Sequence, residues 1–370
     1  MQFALAMFAS AAIVLGSPFM GQLQSFLRRS LSTENYVLLF GIGVLVAVGV
    51  AIALALSRIR ERRAERFGLM AIALVFGATY MWWTATPYPE VNAVERVHFV
   101  EYGLIAFFWY RPFRSANDLS ILILPVLAAF TVGTLDEWLQ WFIPYRVGEA
   151  HDVFINFASI VCGLLFALAI NPPATFSPRL QPASWRRVGI AAAVVFLIFA
   201  TFVSNVHLGH VNEVAGIGRF KSHYSVEQLH AHQAERFESW KTRPPIAIRR
   251  LSREDQYLDE GLWHVRRRNS AADVTEAWRE NLILERFFAP VLDVPTYASP
   301  AGNRWPPEQR ADFSARADGS ASFFSAAEAY PIVTWPKPLY WAAVFAIAIA
   351  LIAIPARYAA PRAAAFRPSP

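Results

Sequence analysis

The stretch "LDEWLQWFIPYRVGEAHDVFIN", Leu135–Asn156, separates two apolar runs, "SILILPVLAAFTVGT" before it and "FASIVCGLLFALAI" after it. Asp136, Glu137, Gln140, Arg146, His151, Asp152 and Asn156 crowd into this connection. Its place between two spans puts these groups at the edge of a membrane. Lipid offers no hydrogen bonds, so polar groups there are expected to turn inward and satisfy one another.

The rest of the chain supports a membrane reading. Of 370 residues, 55% are hydrophobic and only 17% charged, less charge than a soluble domain carries. Eight runs approach the roughly 20 apolar residues that cross a bilayer: about 2–20, 36–57, 68–86, 97–110, 118–135, 152–170, 188–206 and 338–356. The first lacks a basic leader and is expected to be a span rather than a cleaved signal. Pro125 is expected to kink the fifth. The predicted fold class is an all-α polytopic membrane bundle of about eight transmembrane helices, with a small α+β extracytoplasmic domain between the last two.

Arginine sets the expected orientation. Thirteen Lys or Arg residues, among them Arg58, Arg60, Arg62, Arg63 and Arg66, flank the spans on one side, against five on the other. The positive-inside rule then puts both termini in the cytoplasm and residues 207–335 outside. The predicted domains are a bundle over 1–206, the outer domain over 207–335, a last span over 336–357 and a cytoplasmic tail over 358–370. The expected location is the bacterial cytoplasmic (inner) membrane.

The outer segment is nearly neutral, with 16 Lys and Arg against 17 Asp and Glu, which argues against a nucleic-acid partner. "SVEQLHAHQAERFESW" predicts an amphipathic helix with Val226, Leu229, Phe237 and Trp240 on one face and Ser225 as an N-cap with an incomplete capping box. "DVTEAWRENLILERFF" predicts a second helix, "PIAIRR" a strand, and "SPAGNRWPPEQRADFSARADGS" a loop. The "HVRRRN" run reads as a salt-bridged face, with an anionic headgroup contact as the alternative. Cys162 is the one cysteine, so no internal disulfide forms.

Spans four to six carry polar stripes at one depth. Glu95, His98, Glu101 and Tyr102 share a helix face, as do Asp152, Asn156, Ser159 and Gly163. With Asp136, Glu137, Gln140 and Arg146 they predict a shared polar site, in which Glu137, Arg146 and Asp152 form a charge-assisted network completed by His98, Tyr102 and Asn156. The plainest reading of that site is a structural network. A lipid or glycan headgroup site, catalysis by a His–carboxylate pair, and a metal site built on His98, His151 and carboxylates are the alternatives. No catalytic residue, cofactor or resident metal is expected, since no nucleophile elbow, phosphate loop or HExxH pattern occurs.

"ERVHFVEYG" followed by "DEWLQWFIPYRVGEAHDVFIN" resembles the VanZ-like membrane proteins over about residues 68–170. Glu95, Arg96, His98 and Tyr102 match the first part of that family's pattern. Asp136, Glu137, Gln140, Pro144, Arg146, Asp152, Asn156 and Gly163 match the second. Tyr145 and Ser159 stand where the family usually has glycine. The resemblance implies a membrane bundle and an association with glycopeptide resistance or the cell envelope. The expected function is therefore non-enzymatic: a scaffold subunit of a larger respiratory, photosynthetic or envelope complex, or an envelope-binding protein. An enzyme acting on lipid-linked envelope precursors through His98 and Glu137 is the alternative. Membrane lipids and other membrane subunits are the expected partners.

Overall fold

The computed structural model describes residues 1–143, 146, 148–246 and 256–359. Long helices dominate: α1 (Gln2–Ser30), α2 (Thr33–Arg58), α3 (Arg63–Trp83), α4 (Pro89–Phe113), α5 (Ser120–Trp141), α6 (Ala150–Ile170), α7 (Pro182–Val206) and, near the C-terminus, α13 (Lys337–Ala359). Between α7 and α13 lie the strands β1 (His210–Val214) and β2 (Gly218–Ser222) and the helices α8 (Val226–Thr242), α9 (Gln256–Ser270), α10 (Val274–Phe287), α11 (Ala289–Asp293) and α12 (Pro307–Arg316). The chain divides into two compact units: Met1–Gln140 with Gly148–Phe202 and Trp341–Pro370, and Trp141–Val147 with Val203–Tyr340.

Among the described residues seven helices, α1, α2, α3, α5, α6, α7 and α13, are long and apolar enough to cross a membrane. Their outward faces carry large apolar side chains such as Leu45, Val50, Leu54, Phe345 and Ile349, which water would penalise and lipid would not. α4, predicted as a span, is long enough at 25 residues but carries Glu90, Glu95, Arg96 and Glu101 in its first half. Its second half lies deep among its neighbours, with Tyr102, Ile105, Ala106, Trp109 and Tyr110 buried.

In the first unit the tightest seam is between α4 and α6, because Gly103 and Gly163 meet there. A methyl group at Gly163 would run into the Gly103 backbone carbonyl. Below this seam Tyr102, Ile105, Ala106 and Trp109 pack with Ala6, Ala129, Val132 and Ile160, and Trp109 Nε1 donates to Ser10 Oγ at 3.0 Å. The last carbonyls of α6 have no partner within the helix. Arg66 of α3 supplies one, donating to Ala169 O at 2.6 Å and Ile170 O at 2.7 Å, and its charge suits the negative end of the α6 dipole.

The second unit is built on an antiparallel hairpin, with Asn212 opposite Phe220. The "GIG" run, Gly216–Gly218, makes its turn: both glycines have positive φ (77° and 119°), a conformation other residues adopt only with strain. Phe220 packs with Leu229, Tyr257, Leu262, Ile283, Leu284, Phe287 and Phe288 into one core.

Several expectations for this segment need correction. The capping box at Ser225 is complete, because Gln228 at N3 returns the bond to the Ser225 N–H. Phe237 is 41% exposed, so Leu229 and Trp240, with the half-buried Val226, carry the core-facing side of α8. The stretch expected to be loop contains α12, started by Pro307 in the first turn, where its missing N–H costs nothing. The predicted strand "PIAIRR" falls mainly on residues 247–250, outside the described residues.

Candidate functional site

The polar stripes of α4, α5 and α6 do meet, and they divide into two parts. The first is buried. His98 Nδ1 lies 2.6 Å from Asn156 Oδ1, an acceptor, so that nitrogen carries the proton and donates. Asn156 Nδ2 in turn donates to Glu137 Oε1 at 3.5 Å. Gln140 Nε2 donates to Glu137 Oε1 at 3.2 Å and to Asp136 Oδ2 at 2.9 Å. Tyr102 OH donates to the same Asp136 oxygen at 2.8 Å. Tyr102, Glu137 and Asn156 are fully buried, and Asp136 and Gln140 nearly so. The donors all run towards two adjacent carboxylates. Bonds to a charged acceptor are stronger than neutral ones, and low polarity around them strengthens them further. Asn156 stands between His98 and Glu137, so these two do not form the direct acid–base pair that the catalytic alternative requires.

Gly133 makes this closeness possible. A Cβ there would stand 3.2 Å from the Asn156 Cβ and 3.4 Å from the Tyr102 ring. Neither Gly133 nor Gly103 was singled out by the sequence reading. Both look like ordinary small residues in apolar helices, and only the packing shows what they face. Ser159 is fully buried and turns its hydroxyl back to Ile155 O at 2.8 Å.

The second part lies one turn nearer the helix ends. Glu95 of α4 and His151 and Asp152 of α6 bring one donor atom each to within 4.8 Å of one another. Glu95 and Asp152 are half-buried and His151 is exposed. Glu149, just before α6, joins this crowd: burial, then the nearby charges of Asp152 and Glu95, push its carboxyl up to about 7. Glu101 is half-buried on the same helix as Glu95. Arg96 points to the exposed side of α4. Arg146 belongs to the second unit, where it is half-buried and its N–H bonds Ile143 O at 3.1 Å. Glu137 accepts from Gln140 and Asn156, and Asp152 lies with Glu95 and His151.

Next to these residues is an apolar groove of about 480 Å³, lined from α2, α3, α4 and α6 by residues such as Ala51, Leu54, Met81, Phe99, Leu104 and Phe166. Phe99 stands one turn along α4 from Glu95, and its ring meets that of Tyr80 at 6.2 Å. The groove therefore begins where the half-exposed acids end.

The second unit has buried polar pairs of its own. His223 faces an oxygen at each ring nitrogen: Glu260 Oε1 at 2.6 Å and Val206 O at 2.7 Å. Burial opposes charge on Glu260, but His223, with Ser222 and the His223 backbone N–H, outweighs it and holds this carboxyl below the usual range. His264 Nδ1 meets Glu280 Oε2 at 2.6 Å, both side chains buried. In the "HVRRRN" run Arg267 pairs with Glu276, and Arg268 is buried between Asn281, Asn303 O and the Trp305 ring. Only Arg266 of the three is exposed. Of the short histidine spacings, His207 bonds Pro331 O at 2.8 Å, and His230 and His232 lie against Phe287 and Tyr224.

The sequence pattern of the VanZ/LLP1 family matches residues 5–171. This region is VanZ-like, and the match runs beyond 68–170 to take in α1 and α2. No curated protein and no solved structure matches the chain.

Proposed function

We propose, from the VanZ-like character of residues 5–171, that this integral membrane protein binds a lipid-type component of the bacterial envelope and does no chemistry on it. The tail lies in the groove between α2, α3, α4 and α6, and the headgroup sits at the Glu95–His151–Asp152 end. One observation carries this reading: a groove of about 480 Å³ has apolar walls, and Phe99 in its lining stands one turn along α4 from Glu95 of the half-exposed polar cluster. An apolar channel with a few polar groups at one end matches the two-part chemistry of a lipid. The buried His98–Asn156–Glu137–Gln140–Asp136–Tyr102 chain acts as the fastening that holds the three helices beside it.

In this reading the chain lies in the cytoplasmic membrane with both termini inside. α4 crosses with its neighbours as an eighth, protein-buried span. Residues 207–335 face outward as an accessory module that docks a partner subunit. The Arg asymmetry supports the orientation. A reporter active only outside the cytoplasm should work when inserted within 301–319 and stay silent after Pro370. The opposite pattern contradicts the orientation.

The lipid site is tested by quantifying lipid that co-purifies in mild detergent. Ala51→Trp fills the groove from α2 and should remove the bound lipid while leaving the melting temperature near wild type. Lipid retained at the wild-type ratio refutes the groove as its site.

A further inference from the structure

Glu95, His151 and Asp152 come from two helices, yet one donor atom of each lies within 4.8 Å of the others. Neither the Glu95 carboxylate, the His151 ring nor the Glu149 carboxylate has a hydrogen bond or ion pair among the described residues. In the buried part of the same seam every carboxylate is met by a donor within the protein. Glu95 and Asp152 thus approach one another beside the exposed His151 imidazole, on two different helices. His98 adds a second imidazole one turn from Glu95: its Nδ1 is taken by Asn156, while its Nε2 has no partner among the described residues.

The geometry points to a divalent cation site, of Zn²⁺ type, formed by Glu95, His151 and Asp152 at the mouth of the groove. Two carboxylates and one imidazole form a mixed N/O donor set, which suits zinc rather than calcium or magnesium. Tetrahedral zinc with donors at about 2.0–2.2 Å sets those atoms about 3.3–3.6 Å apart, a closure reached by rotating the exposed His151 and the half-buried Glu95 and Asp152 side chains. Three protein donors leave a fourth position open, as in zinc sites that hold water or a ligand. That open position resolves a conflict in the proposed lipid site. A phosphate headgroup would meet three carboxylates, and the cation turns that repulsion into a bridge. The ion site extends the lipid reading, but ion binding itself needs no lipid.

The test uses the full chain, purified in detergent, stripped with chelator and titrated with Zn²⁺ against a chromophoric competitor without added lipid. We expect one equivalent bound per chain, with affinity falling at least tenfold in each of Glu95→Gln, His151→Ala and Asp152→Asn. His230→Ala removes an exposed histidine elsewhere and should change nothing. His151 is exposed, so His151→Ala keeps the test valid if another variant folds poorly, and a melting curve on each variant checks this. Absence of stoichiometric binding, or affinity unchanged in His151→Ala, overturns the site. Loss of binding in His230→Ala instead would assign the ion to adventitious surface histidines and equally overturn it. Zinc binding with no co-purifying lipid would leave the ion site standing and refute the lipid reading alone.

Discussion

Glu137 and Glu95 are acids at the same end of one helix seam, and they have opposite surroundings. Glu137 is fully buried and accepts from Gln140 and Asn156. Glu95 is half-buried, makes no hydrogen bond among the described residues, and faces His151 and Asp152. The difference teaches how a polar stripe in a membrane bundle can do two jobs. Where the stripe is enclosed, its groups satisfy one another and fix the helices. One turn further out, Glu95, His151 and Asp152 converge at a half-exposed place that a ligand from outside can reach.

The comparison breaks most directly at the seam that both halves share. Gly163→Ala drives a methyl group into the Gly103 carbonyl and should cost about 1–3 kcal/mol or more, lowering the melting temperature and losing ion and lipid binding together. Asn156→Ala comes next. It strips the acceptor from His98 and a donor from Glu137, each loss worth roughly 1–3 kcal/mol if left unmet. The expected result is a clear drop in thermal stability. A melting temperature equal to wild type would mean that the buried chain does not hold the helices.

Glu260 sharpens the contrast from the second unit, since it too is a buried, well-met acid. Its folded pKa is depressed, so the unfolded chain takes up protons first as pH falls. The stability it contributes is present above the ordinary glutamate range and is lost as pH drops through its lower folded pKa. Thermal unfolding followed from pH 7 to acid should show this loss, and Glu260→Gln should flatten it. An acid dependence unchanged in that variant would assign it to other groups. The smallest effect is expected at His151→Ala, within about 0.5 kcal/mol of wild-type stability because the side chain is exposed. A large destabilisation there would place His151 in the fastening rather than at the binding end.

Much of this was legible in the chain. The apolar runs pointed to eight spans, and seven of the described helices are long and apolar enough to cross a membrane; the stripe Glu95, His98, Tyr102 was readable because helical spacing places those residues on one face. Asp136, Glu137, Gln140 and Asn156 were readable because polar groups beside lipid must find partners within the protein. The split of the stripe was not legible, because Asn156 and Asp152 differ in burial although they lie one turn apart on one helix. Gly133 and Gly103 were invisible for a related reason: a glycine's importance lies in what approaches it, and that belongs to another helix. In the second unit the hairpin hid in "HVNEVAGIGRFKS", whose charged residues mask the alternation of a strand pair. α12 hid because two prolines suggested loop where they start a helix.

Lipid per protein, measured by mass spectrometry after mild extraction, tests the binding claim most directly when wild type is set beside Ala51→Trp and Asn156→Ala. The account predicts about one tightly held lipid in wild type and none in Ala51→Trp at unchanged melting temperature. In Asn156→Ala it predicts loss of lipid only in step with loss of fold. Wild-type protein that carries no lipid, or Ala51→Trp that carries as much as wild type, contradicts it.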